Sequence, residues 1–179
     1  MPQIVNAVGG GDLKEDISLS QLSEMISGDE VRYDPEYWPG LYIRFTPDSP
    51  AVLVFHTGKY NIAGAESIED LNSAKQNFLD TLEELGIEGF DSDFEVRNLV
   101  FLDRYSRELE LEQIAVALGL ESTEYDPEDF PGLLYRPEDV TGTFLVFRNG
   151  KVILTGANNR NAAESAFQGL FFELDALFE

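Results

Sequence analysis

Two spacings of apolar residues alternate along this chain. Around Ala51, "AVLVFHT" puts Val52 and Val54 on one side of an extended strand and Leu53 and Phe55 on the other. Around Thr143, "TFLVFRN" sets Phe144 and Val146 against Leu145 and Phe147 in the same way. Elsewhere the period lengthens to that of a helix. Leu19, Leu22, Met25 and Ile26 make one apolar stripe, and Leu111, Ile114, Ala115 and Leu118 make another. A longer stripe of Ile68, Leu71, Ala74, Phe78, Leu82 and Leu85 follows Ser67, an N-cap with Asp70 three residues on, and Gly86 ends it. A last helix is expected from about Asn161 to Leu177.

These elements come twice, in the same order. "YDPEYWPGLYIRF" begins at Tyr33 and "YDPEDFPGLLYRP" at Tyr125, 92 residues on. The same offset carries Asn6 to Asn98, Val8 to Val100, Arg44 to Arg136 and Phe55 to Phe147, and it carries "GK" at Gly58 and "GA" at Gly64 to Gly150 and Gly156. No gap is needed, so two repeats, 1–90 and 93–179, fill one domain. A period this long is an internal duplication and not a solenoid array. Each repeat opens with a strand, "IVNAVGG" or "FEVRNLVF", passes through a short helix and the Tyr-Asp-Pro-Glu turn to short strands, and closes with the long helix. Thr57-Gly58 and Asn149-Gly150 mark hairpin turns, so these strands are antiparallel. The expectation is an α+β fold: an antiparallel sheet of about ten strands with four helices.

Both faces of these strands are apolar, yet four helices cover one face of such a sheet and not both. The other face is left open, and a monomer rarely leaves so large an apolar patch bare unless something binds it. Ile4, Asn6 and Val8 share a face of the first strand, as do Val96, Asn98 and Val100 in the second repeat. Each Asn either satisfies a backbone group at a bulge or offers an amide at the centre of a binding face. Amides donate to acceptors such as those on the minor-groove edge of A·T pairs.

Charge complicates that picture. Thirty-four Asp and Glu face twelve Lys and Arg, a net of -22. The acids are spread along the whole chain, which suits a solubilising surface or, more sharply, a protein living in multimolar intracellular salt. There is no cysteine, which excludes disulfides, thiolate catalysis and cysteine metal sites. No signal peptide or membrane span is visible, so the expected location is the cytoplasm, in association with the nucleoid. Enzyme signals are weak. "NGKVILTG" lacks the phosphate-loop spacing, and the single His56 has no ligand partners. No catalytic residue, metal or cofactor is expected.

The paired "YDPE-aromatic-PGL" phrases, the "GK…GA" strand ends, Asn6 with Asn98 and the two-repeat layout together resemble the core domain of the TATA-box-binding protein family, of the archaeal kind, over essentially the whole chain. The acid content resembles versions from extreme halophiles. What the resemblance implies is a saddle, its curved antiparallel sheet on double-stranded promoter DNA and its helices on the convex back. It implies a general transcription initiation factor that kinks the DNA and recruits transcription factor B and, indirectly, RNA polymerase. Trp38, Phe55, Phe130 and Phe147 would be wedges between base steps. Asn6 and Asn98 would donate to central base edges. Val8, Val100, Leu53, Leu145, Ile153 and Thr155 would pack on sugars and bases, with Asn61 and Ala63 at the positions matching the last two. Arg44, Arg136, Lys59 and Lys151 would meet phosphates. Glu128 and Asp129 lie where transcription factor B docks in the family.

Three positions depart from the family's pattern. Residue 38 is Trp where Phe is usual, Asn61 stands for an apolar Val and Ala63 for Thr, whereas Ile153 and Thr155 keep the usual character. The first repeat is the divergent half, and any unusual DNA preference is expected there. The alternative reading is a regulatory or interaction module whose apolar face binds a protein or, in the absence of DNA, a second copy of the chain.

Overall fold

A computed structural model describes residues 1–88 and 93–179, so the repeat boundary set at residue 90 lies outside the described residues. Among the described residues ten strands and four helices follow one another in two runs of the same order. The first run is β1 (Gln3–Asp12), α1 (Leu19–Met25), β2 (Glu30–Tyr33), β3 (Leu41–Arg44), β4 (Ala51–Val54), β5 (Lys59–Ala65) and α2 (Ile68–Glu84). The second is β6 (Glu95–Arg104), α3 (Leu111–Leu118), β7 (Thr123–Glu124), β8 (Leu133–Tyr135), β9 (Thr143–Val146), β10 (Lys151–Ala157) and α4 (Arg160–Ala176). By compactness the chain divides into Asn6–Arg97, the first unit, and Met1–Val5 with Asn98–Glu179, the second.

In the first unit the strands lie in the order β2-β3-β4-β5-β1, all antiparallel. Buried and open residues alternate along β3, β4 and most of β5. Ile43, Val52, Val54 and Ile62 are fully buried under α1 and α2, against Leu71, Phe78 and Leu82 of the long helix. The intervening Tyr42, Leu53, Asn61 and Ala63 remain partly open on the other face. The second unit runs β6-β10-β9-β8-β7, again antiparallel. There Phe144, Val146, Val152 and Leu154 are buried against Phe167, Leu170 and Leu174 of α4, while Leu145, Ile153 and Thr155 stay open.

The long helices start as their sequences dictate. Ser67 Oγ accepts from the Asp70 N–H at 3.0 Å, and Asn159 Oδ1 accepts from the Ala162 N–H at 2.8 Å. Two apolar-stripe residues fall elsewhere than expected. Met25 is 47% exposed, because α1 ends there and the extended Ile26 takes its place in the core. Ile68 is 38% exposed as the first residue of α2. The hairpins also differ from two-residue turns. Phe55 and Lys59 close a three-residue loop, with Phe55 N–H donating to the Lys59 carbonyl at 2.9 Å and Gly58 N–H donating to the Phe55 carbonyl at 3.0 Å. Gly58 sits at φ 90, which a type I turn followed by a left-handed residue requires. Phe147, Gly150 and Lys151 repeat this geometry. Among the described residues no helix is long and apolar enough to cross a membrane.

One core contact has a pH signature. Tyr105, 7% exposed, donates its hydroxyl to Asp175 Oδ1 at 2.7 Å, tying β6's end to α4. Burial, and then the Asp175 carboxylate that accepts its proton, push the Tyr105 phenol up to about 12. A phenol raised above its unfolded value favours folding below the unfolded value and loses that contribution as pH climbs to the folded one. Thermal unfolding temperature should therefore fall between about pH 10 and 12, and Tyr105→Phe should flatten that segment of the curve.

Candidate nucleic-acid interface

The two Tyr-Asp-Pro-Glu phrases build two copies of one device. The Asp34 carbonyl accepts from the N–H groups of Tyr37 (3.1 Å) and Trp38 (2.9 Å), and the Asp126 carbonyl accepts from those of Asp129 (3.1 Å) and Phe130 (2.9 Å). Each turn folds the aromatic back over the Pro-Gly step. A Cβ on Gly40 would run into the Trp38 ring, and one on Gly132 would lie 2.8 Å from Phe130 and 3.0 Å from Phe147. The glycine is thus the floor on which the ring lies. Trp38 meets Phe55 edge-on at 5.6 Å between centroids, and Phe130 meets Phe147 edge-on at 5.9 Å. Such a pair adds about 0.5–1.5 kcal/mol beyond its buried area. Yet Trp38 and Phe130 are still 37% and 36% exposed. Each pair is packed ring against ring and still partly open.

Beside each pair lies the open sheet face. In the first unit one row across the strands reads Arg32, Tyr42, Leu53, Asn61, Gly10. In the second the matching row reads Glu124, Leu134, Leu145, Ile153, Leu102. The next row holds Ala51 and Ala63 in the first unit, and Thr143, Thr155 and Val100 in the second.

Asn6 and Asn98 each do a structural job that fixes the orientation of the amide. Asn6 Oδ1 accepts from the Gly64 N–H and Asn98 Oδ1 from the Gly156 N–H, both at 3.0 Å. These glycines lie at φ 89 and 88, next to irregularities in the β1/β5 and β10/β6 pairing that leave an N–H without a strand partner. The "GA" motif is therefore the other half of the Asn motif. With each Oδ1 engaged, each Nδ2 points away as a donor with no internal partner among the described residues. The two uses considered for these side chains turn out to be compatible.

The basic residues differ between units. Arg44 leans over Tyr42, 5.9 Å from the ring centroid, with its Nε buried and without a hydrogen-bond partner among the described residues. Arg136, its counterpart, lies 3.5 Å from Glu124. Both members of that pair are more than half exposed, so the bridge is weak and easily exchanged. Lys59 is exposed at the hairpin, and Lys151 sits 5.8 Å from the Phe147 ring centroid. Glu128 and Asp129 are exposed on the second turn. Sequence reasoning missed Arg32, which stacks on Tyr42 at 4.6 Å while pairing with Glu30 at 2.8 Å. It also missed Arg97, whose side chain crosses Gly10. Following the 92-residue offset to Glu124 and Leu102 would have flagged Arg32 and Gly10.

Comparison with known proteins decides the family. The family model for "Transcription factor TFIID (or TATA-binding protein, TBP)" matches residues 1–85 and 93–177. The chain belongs to the TATA-binding protein family. It is 40% identical over 168 residues to TATA-box-binding protein C of Halobacterium salinarum, covering 93% of each chain. It is 41% identical over 164 residues to the TATA-box-binding protein of Thermoplasma volcanium, covering 91% of this chain and 88% of that one. The solved structure of Methanococcus jannaschii TBP superposes with a TM-score of 0.86 at 32% identity, covering 98% of both chains. The fold is therefore the TATA-binding protein fold, and the chain is of the archaeal kind.

Trp38 is the only tryptophan in the chain, so its fluorescence reports on one aromatic pair. Gly40→Ala should displace the ring from its floor and red-shift the emission, with Gly132→Ala leaving it unchanged. Asn6→Ala should strand the Gly64 N–H and lower stability by about 1 kcal/mol, whereas Asn6→Asp, which keeps the acceptor, should lose less in denaturant titration.

Proposed function

We propose that this chain is a transcription initiation factor whose open sheet faces grip the minor groove of TATA-like promoter DNA, with repeats 1–90 and 93–179 acting as halves of one domain. Trp38 with Phe55, and Phe130 with Phe147, enter base steps as wedges. Unstacking a step costs a few kcal/mol, and flexible pyrimidine–purine steps yield most easily. The apolar rows pack on sugars and bases, and the free Nδ2 groups of Asn6 and Asn98 donate to minor-groove acceptors. Arg44, Arg136, Lys59 and Lys151 meet phosphates. Glu128 and Asp129 receive transcription factor B, and RNA polymerase follows through that factor. The reading places the protein with the nucleoid in the cytoplasm.

The twice-built aromatic pair, packed on its glycine floor yet partly open beside an apolar face, carries this reading. A turn alone does not need a half-exposed Trp or Phe, and a core would bury it. The two Asn donors add what an ordinary protein interface does not require.

A net charge of -22 opposes DNA, but its distribution favours binding. Glu69, Asp70, Asp80, Glu83 and Glu84 lie on α2, and Glu164, Glu173 and Asp175 on α4, on the covered side of each unit's strands. The central positions of both open faces, Tyr42, Leu53 and Asn61 in the first unit and Leu134, Leu145 and Ile153 in the second, carry no carboxylate, and Glu124 stands at the outer end of its row. At 1 M salt the Debye length is about 3 Å, so the helix charges are screened while apolar burial is not.

TATA-DNA affinity should hold or rise between about 0.5 and 2 M KCl, and a steep counterion-release decline would sink the reading. In gel shifts at high KCl, Phe130→Ala with Phe147→Ala should abolish the complex that the unaltered protein forms. Equal retardation by both proteins, or none by either, would favour the interaction-module alternative, which sedimentation of the free protein as a dimer would then support.

A further inference from the structure

The open face of the first unit is not a copy of the second. At the inner end of its row, Asn61 replaces Ile153 and Gly10 replaces Leu102, and in the next row Ala63 replaces Thr155. The space above Gly10 is filled by a polar group. A Cβ there would run into Nε of Arg97 and lie 2.7 Å from Asn61 Oδ1. Arg97 therefore lies across the sheet beside the Asn61 amide. Among the described residues neither side chain has a hydrogen bond, and Arg97 has no carboxylate at ion-pair distance. Both border an open hollow of about 830 Å³ that also reaches Phe55 and Lys59. Where one row ends in aliphatic side chains, the other ends in two polar groups with hydrogen-bonding capacity to spare.

The minor groove contains one feature such a pair can read. A·T pairs of either orientation show only acceptors there, whereas a G·C pair adds the guanine N2 amino donor at its centre. An aliphatic row pressed on that amino group buries a donor without a partner, which is unfavourable by an amount comparable to a lost hydrogen bond. The Leu145–Ile153–Leu102 row must therefore reject G·C. In the first unit the Asn61 amide oxygen can accept from the N2 amino group, Ala63 leaves the room that Thr155 fills, and Arg97 donates to the neighbouring ring and carbonyl acceptors.

We infer that the first unit selects a G·C pair beneath Asn61 and Arg97, so that the preferred site is A·T-only in one half and G·C-containing in the other. Such a site has a direction, and the chain would orient itself on DNA through its own base contacts. This inference rests on the minor-groove reading above.

The test is a binding-site selection from random duplex DNA at 2 M KCl, followed by affinity measurements on the selected duplex. Its guanine is then replaced by inosine, which lacks only the N2 amino group. The selection should return a G·C pair in one half-site. Inosine should weaken binding by the unaltered protein about fivefold or more, the equivalent of one hydrogen bond. Asn61→Ile should bind the two duplexes equally, and Ile153→Asn should admit a G·C pair in the other half. The guanine–inosine comparison needs no variant, so a misfolded mutant does not blunt it. A·T-only selection in both halves, equal affinity for guanine and inosine duplexes, or a guanine preference that survives in Asn61→Ile would overturn the inference while leaving minor-groove binding intact. Failure to retain any duplex would overturn both.

Discussion

A strand has two faces, and in each unit of this protein only one of them is covered. The constraint is geometric. Strands joined by tight hairpins form an antiparallel layer, and the one short and one long helix of each unit lie on one side of it. Everything on the covered side follows the rule of a close-packed core, with Ile43, Val52, Phe78, Phe144 and Phe167 almost fully buried. Everything on the other side is apolar without cover. The partly exposed aromatic pairs, the donor amides and the absence of central carboxylates are all features of that uncovered side, and in the proposed function a DNA duplex supplies the missing layer.

The duplication gives the protein an internal control. Where the two units agree, the agreement marks what the geometry requires. A glycine at positive φ turns its N–H to an asparagine oxygen in both, and a glycine floor holds an aromatic ring in both. Where they differ, the difference marks what the fold leaves free to vary. Asn61 with Arg97 stands against Ile153 with Leu102, and Arg44 over Tyr42 stands against Arg136 beside Glu124. The first set of features belongs to the fold, and the second is where the proposed specificity resides.

Charge acts at a different level. Net charge of this size governs solubility and association and leaves the choice of fold to packing. It also makes binding conditional, because a surface this acidic approaches a polyanion only where salt shortens the reach of the repulsion. Apolar packing and edge-on aromatic contacts survive such salt, which makes an interface built mainly from them suitable for that environment.

Much was legible in the sequence because period and repetition are local properties. Two-residue alternation separated Val52 and Val54 from Leu53 and Phe55, the 3.6-residue period placed α2 and α4, and the 92-residue offset paired the units without any structure. The phrases "YDPEYWPG" and "YDPEDFPG" were visible as a device, although their purpose was not. What only the tertiary structure decided were contacts between segments distant in sequence. The Gly64 N–H finds Asn6 across 58 residues, Tyr105 finds Asp175 across 70, and Arg97 comes to lie over Gly10. No period encodes these, because they depend on register and on which side chain fills a space left by another. The sequence determined that there would be an open apolar face with two aromatic devices. The tertiary structure decided which atoms on it are already engaged and which remain to be offered.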